Sequence, residues 1–131
     1  MSLQRGFIYR FKNPGSRHPF IFIENKDSEY FVGCMITSAK RSKRFPENIE
    51  MLSEYFKTHA DNLTNTEYSI KFAQSNLVRL FLIKRTSDVN LKICGELTQQ
   101  GLLFIDEAIK NKASVFWQDY ENRPDFSDEL Q

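Results

Sequence analysis

The sequence predicts an α+β fold: a small, mainly antiparallel β-structure with a short helix after the third strand and a C-terminal helix. Three observations carry this expectation. Runs of apolar, β-branched and aromatic residues follow one another near the N-terminus, parted by turn chemistry. Alternation returns at Tyr68, Ile70 and Phe72, and further apolar runs follow it. From Thr98 the apolar period lengthens to three and four residues. At 131 residues the chain is most simply one domain, residues 1–131, able to bury a core without staples.

Residues 6–11 form the first strand, and Asn13-Pro14-Gly15 is strong turn chemistry. Pro19 opens the second strand, where its missing N–H breaks no ladder. Phe20, Ile21, Phe22 and Ile23 are apolar on both faces, so this strand is covered on both sides or lines a barrel. A turn over residues 25–28 leads into a third strand over 29–36, in which Gly33 marks a bulge or a close backbone approach. Three such strands make a meander, the usual start of a small barrel or a half-open sheet.

Residues 38–46 are too polar and basic to pack, and a loop is expected there. A brief strand over 47–52 comes next. A short helix over 53–59 follows it, with Leu52, Tyr55 and Phe56 on one side. Residues 61–65 are a turn cluster, and strands are expected around 68–72, over 77–84 and over 91–97. Cys94 and Gly95 interrupt the last. Thr98 is the N-cap of a helix that sets Leu102, Ile105, Ala108 and Ile109 on one face up to about Lys112. Asp106, Glu107 and Lys110 belong to its solvated face. Residues 113–120 are expected to continue as helix around Val115, Phe116 and Trp117, with a frayed tail over 121–131.

Charge is nearly balanced at +1, so a polyanionic partner cannot be inferred from the whole chain and any charge argument is local. Twelve Phe suit a β-rich core filled by rings. Cys34 and Cys94 lie far apart, each inside an apolar run, with no Cys-x-x-Cys and no cysteine–histidine cluster. They read as two buried free thiols rather than a zinc site or a redox dithiol. No cofactor or metal is expected. No secretory signal is visible at the start, and no run approaches the roughly 18 apolar residues of a bilayer span, so a cytoplasmic protein is expected.

The groups most able to do chemistry gather around two stretches. One is the turn with Arg17 and His18 that drops through Pro19 into Phe20-Ile21-Phe22-Ile23; the other is Val32-Gly33-Cys34-Met35-Ile36-Thr37-Ser38. Together with Gly6-Phe7-Ile8-Tyr9 at the start and Gly95-Glu96-Leu97-Thr98 before an apolar helix, their order resembles the MazF/PemK/Kid family of toxin ribonucleases. The resemblance covers about residues 6–112. Each piece alone is weak; the order of four is moderately specific. The family's usual Arg before the Pro is His18 here, with Arg17 one step earlier, and the segment between Leu52 and Asn65 is not typical.

The resemblance implies an SH3-like barrel and metal-independent cleavage of single-stranded RNA, in which the ribose 2′-OH attacks its own phosphate. It also implies a homodimer restrained by an acidic antitoxin protein laid across the RNA groove. Such a reaction needs a base at the 2′-OH, an acid at the leaving 5′-oxygen and donors on the phosphoryl oxygens. His18 titrates nearest neutrality and serves as base or acid. Arg17 offers bidentate donors to phosphate. Thr37 and Ser38 can hydrogen-bond the phosphate or orient the 2′-OH. Lys40, Arg41, Lys43 and Arg44 supply a basic segment for the RNA backbone.

The bland readings are a solvated Arg–His turn, a plain strand-end Thr37 and a loop kept soluble by its charges. Tyr9 and Phe20 could stack bases but read as core. His59 reads as surface. Two other functional classes stand beside the enzyme. One is a protein-binding toxin resembling the gyrase poison CcdB, acting through Trp117 beyond the last helix. The other is an inactive barrel interaction module.

Overall fold

The computed structural model describes residues 3–11, 19–37, 49–57, 76–84 and 91–116; for 76–84, Phe11, Thr37 and Ser53 it describes the backbone alone. The fold is α+β: a largely antiparallel sheet with one α-helix. Its strands are β1 (Phe7–Phe11), β2 (Phe20–Asn25), β3 (Tyr30–Thr37), β4 (Ile49–Glu50), β5 (Asn76–Lys84), β6 (Leu91–Glu96) and β7 (Val115–Phe116). The helix α1 is Gln99–Ala108. The sheet runs β4-β5-β3-β2-β1-β6, with β7 beside β5.

The meander β1-β2-β3 forms as its turn chemistry dictates. Between β2 and β3, Asp27 Oδ1 accepts from the backbone N–H of Glu29 (2.8 Å) and of Tyr30 (2.9 Å). This is an Asx-type turn that replaces ladder bonds the tight reversal would lose. The register of β2 on β3 shifts between Phe22 and Glu24, opposite Gly33 and Val32, so the bulge foreseen at Gly33 lies across the ladder at Ile23. A second shift sets Cys94 as the extra residue of β6 opposite Ile8 and Tyr9, which accounts for the broken pattern at Cys94 and Gly95.

Strand alternation sorts the apolar residues onto two faces. Ile8, Ile21, Ile23, Val32, Cys34, Ile36 and Cys94 join Ile105 of α1 and Met51, Phe56 and Leu97 in one core. Tyr9, Phe20, Phe22, Phe31, Met35 and Leu91 form a second. Phe20, Ile21, Phe22 and Ile23 are all buried, as expected of a strand covered on both sides. In the second core the Phe20 ring stacks on Tyr9 (centroids 5.9 Å) and on Phe31 (5.3 Å). Tyr9 and Phe20 are therefore core rings, closed to a stacking base.

The end of β6 and the start of α1 are tied to the segment after β4. Phe56 bridges Leu97, Lys57 N–H donates to Glu96 O (2.9 Å), and Thr98 N–H donates to Tyr55 O (2.9 Å). The Thr98 hydroxyl caps α1, accepting from Gly101 N–H at 3.1 Å, and donates to Glu54 O at 3.0 Å. Gly6 turns the chain into β1 at φ +86°, a region L side chains avoid. Its N–H donates to Phe22 O and its carbonyl accepts from Leu97 N–H, which joins β1, β2 and the start of α1.

Three expectations are corrected. The helix expected over 53–59 is a single 3-10 turn, Ser53–Tyr55, because Phe56 and Lys57 leave it to pair with Leu97 and Glu96. The C-terminal helix stops at Ala108, short of Lys112: the chain turns through Ile109 and Lys110 to Asn111, which sits at φ 66°. Residues 113–120 do not continue it, since Val115 and Phe116 pair in parallel with Phe81 and Leu82 of β5. A β-branched and an aromatic residue are better suited to that role than to helix. The strand expected around Tyr68, Ile70 and Phe72 and the tail over 121–131 lie outside the described residues. No helix of the described residues is long and apolar enough to cross a membrane.

Candidate functional site

The candidate site is the end of the sheet where β3 stops. There the carbonyl of Pro19, just before β2, accepts from Ile36 N–H at 3.0 Å. This bond continues the β2–β3 register from the pair Phe20 and Met35. Position 18 immediately precedes Pro19, and position 37 immediately follows Ile36. The two stretches singled out in the sequence thus reach the same end of the sheet on neighbouring strands.

Of the predicted site residues, Thr37 is described through its backbone, as the last residue of β3. Arg17, His18, Ser38, Lys40, Arg41, Lys43 and Arg44 lie outside the described residues, as do His59 and Trp117. The bases of the basic segment are nevertheless fixed. It leaves the sheet at Thr37 and the chain returns at Ile49, on the other side of β5. β3 and β4 are both antiparallel to β5, so the connection 38–48 must cross two strand spacings, about 10 Å, at this end of the sheet.

Register reveals two polar positions that sequence reasoning missed. Thr37 and Glu50 both pair with Asn76, the first residue of β5, one from each side. The adjoining row, Ile36, Leu77 and Ile49, is entirely apolar, with Ile36 buried and Ile49 packed against the same core. Three strands therefore change from apolar to polar at one lateral row, Thr37–Asn76–Glu50, and Glu50 is exposed to solvent. Asn76 precedes an apolar run and Glu50 sits within a short expected strand. Only the pairing, which sequence does not show, sets them beside Thr37.

The remaining polar chemistry is structural. Lys57 Nζ lies 2.6 Å from Glu96 Oε2, and the Glu96 side chain is 7% exposed. Arg5 pairs with Asp106 of α1 and also donates to Ile23 O at 3.2 Å, fastening the turn before β1 to the helix. Both cysteines are free and buried. Burial pushes the Cys34 thiol up to about 12, against the weaker pull of Lys112 and Arg5. Burial likewise raises Cys94 to about 11, opposed by Arg10 and Lys92. Neither is a nucleophile near neutral pH, since the thiolate is the reactive form. Among the described residues no group of three or more His, Cys, Asp or Glu side chains could hold a metal ion. Compared with known proteins, the chain matches no family model and no curated protein.

Proposed function

We propose that the protein is a toxin-type endoribonuclease resembling the MazF/PemK/Kid family, cleaving single-stranded RNA at the sheet end where β2 and β3 meet. The observation that carries this reading is the Ile36–Pro19 backbone bond, which sets positions 18 and 37 next to a pair of bonded partners. In this reading His18 takes the proton of the 2′-OH as the 2′-oxygen attacks phosphorus. The P–O5′ bond breaks, and O5′ leaves as a hydroxyl after receiving a proton. Arg17, Thr37 and Ser38 donate to the phosphoryl oxygens, where negative charge grows in the transition state. Lys40, Arg41, Lys43 and Arg44, on a connection anchored at Thr37 and Ile49, hold the flanking phosphates.

The finer fold belongs to the same proposal: the sheet curls into a small SH3-like barrel. Support comes from the two-sided burial of β2 and from the register shifts on β1–β6, β2–β3 and β3–β5, since bulges bend and twist strands. The protein would act in the cytoplasm as a homodimer, restrained by an acidic antitoxin protein that competes for the basic segment. A protein-binding toxin is the second reading. It draws on Phe116, a large apolar side chain 42% exposed, immediately before Trp117. Incubating the pure protein with single-stranded RNA in EDTA separates the two. Discrete cuts leaving a 5′-hydroxyl are expected, and intact RNA overturns the enzyme reading.

A further inference from the structure

The lateral row at the end of the sheet carries a statement about specificity, which rests on the endoribonuclease reading. Asn76 is the middle position of that row, paired with Thr37 on one side and with Glu50 on the other. It also lies between the two points where the basic connection leaves and re-enters the sheet. An RNA strand whose phosphate sits at Thr37, with neighbouring phosphates on the connection 38–48, has to pass Asn76. Lysines and arginines at phosphates position such a strand without reading it. An amide carries both donors and an acceptor, so it can match the edge of an unstacked base. Glu50 and Thr37 offer less for this purpose: a carboxylate only accepts and repels the phosphates, while Thr37 belongs to the chemistry.

We propose that Asn76 is the specificity-determining residue, whose side-chain amide hydrogen-bonds one base beside the scissile phosphate. It takes no part in the bond-breaking step. Removing it leaves the cleaving groups in place and relaxes the choice of cutting site.

The test maps every cut made in EDTA on an RNA pool containing all trinucleotides. It compares the unaltered chain, Asn76→Ala and the isosteric Asn76→Asp, with melting temperatures measured alongside. The expected result is continued cutting by Asn76→Ala, with the preference at one nucleotide position reduced about fivefold to a hundredfold, the range for a lost bidentate contact. Asn76→Asp, which exchanges donors for an acceptor, should shift that preference to a different base. It also keeps the test open if Asn76→Ala fails to fold. An unchanged pattern of sites in a folded variant overturns the inference and leaves the enzyme reading standing. Loss of all cutting in folded variants overturns it too, by placing Asn76 in the chemistry. Intact RNA with the unaltered chain overturns both.

Discussion

Lys57 Nζ stands 2.6 Å from Glu96 Oε2, in a contact where the carboxylate side chain is 7% exposed and the lysine 21%. The backbone doubles this link, since Lys57 N–H donates to Glu96 O at 2.9 Å. The pair joins the segment after β4 to the end of β6, two parts of the chain separated by 39 residues. Taking a carboxylate out of water is costly unless its charge is met. Lys57→Met should therefore destabilise the fold by about 3 kcal/mol, the low end for breaking a buried pair, because water still reaches part of this site. Glu96→Gln should cost less, since the lysine left behind is the more exposed partner. Denaturant unfolding of both variants checks the order, and equal losses would contradict it.

Gly101 offers a reversal of an ordinary rule. Replacing a helical glycine by alanine normally stabilises by about 1 kcal/mol. Here a Cβ at position 101 would lie 2.3 Å from Tyr55 O and 3.2 Å from Leu97 Cβ. A backbone oxygen held by Thr98 N–H cannot swing aside as a side chain can. Gly101→Ala is expected to destabilise by about 1–3 kcal/mol, as overpacking does. Leu103→Ala, at a side chain 60% exposed on the same helix, should stay within about 0.5 kcal/mol. Thermal unfolding of the two variants decides it.

These two contacts also show where sequence reasoning stopped. Local chemistry was legible: the Asp27 turn, the Thr98 cap and the two-sided apolar run from Phe20 to Ile23 are each set by near neighbours. Long-range pairing was not. Val115 and Phe116 read as helix because Ile105, Ala108 and Ile109 set a helical period just before them. Their partners, Phe81 and Leu82, are more than thirty positions away. The 3-10 turn at Ser53–Tyr55 read as a longer helix for the same reason, its continuation being claimed by Leu97 and Glu96. At the candidate site, sequence pointed to Thr37 but not to Asn76 or Glu50, which only register sets beside it.

The thiols give a pH dependence whose sign is fixed. Cys34 and Cys94 ionise at about 12 and 11 in the folded chain, against 9.0 without burial. Above pH 9 the unfolded chain loses thiol protons that the folded chain keeps, so stability falls as pH rises; below about pH 8 the thiols contribute no slope. The loss is roughly 1 kcal/mol per pH unit for each thiol between pH 9 and 11. Cys34→Ala shares every other alkaline titration with the unaltered chain, so the difference in slope isolates this thiol. Parallel stability curves from pH 7 to 11 would rule out the buried-thiol account.

The pairing of Pro19 and Ile36 makes a specific demand of the cleaving groups proposed. His18→Ala and Thr37→Ala should each abolish RNA cleavage while shifting the melting temperature little, because each position adjoins the last apolar row rather than lying in it. Arg17→Lys should retain part of the rate, since lysine keeps the charge but not the bidentate geometry. Cleavage retained in both alanine variants would remove His18 and Thr37 from the mechanism, whatever cuts the RNA.

The basic connection makes a separate prediction, readable without any cleavage. It is anchored at Thr37 and Ile49, on either side of β5, so Lys40, Arg41, Lys43 and Arg44 belong to a segment tied at both ends to the candidate site. Each phosphate neutralised on single-stranded RNA contributes about 0.7 to the slope of log affinity against log salt. Exchanging all four for Gln should flatten that slope by about 2–3 if most of them contact phosphate. The net charge of the chain is only +1, so a diffuse field cannot supply the effect. Anisotropy titrations of a labelled single strand at several salt concentrations measure the slope. The same slope before and after exchange would place the RNA elsewhere on the protein, even if binding itself were confirmed.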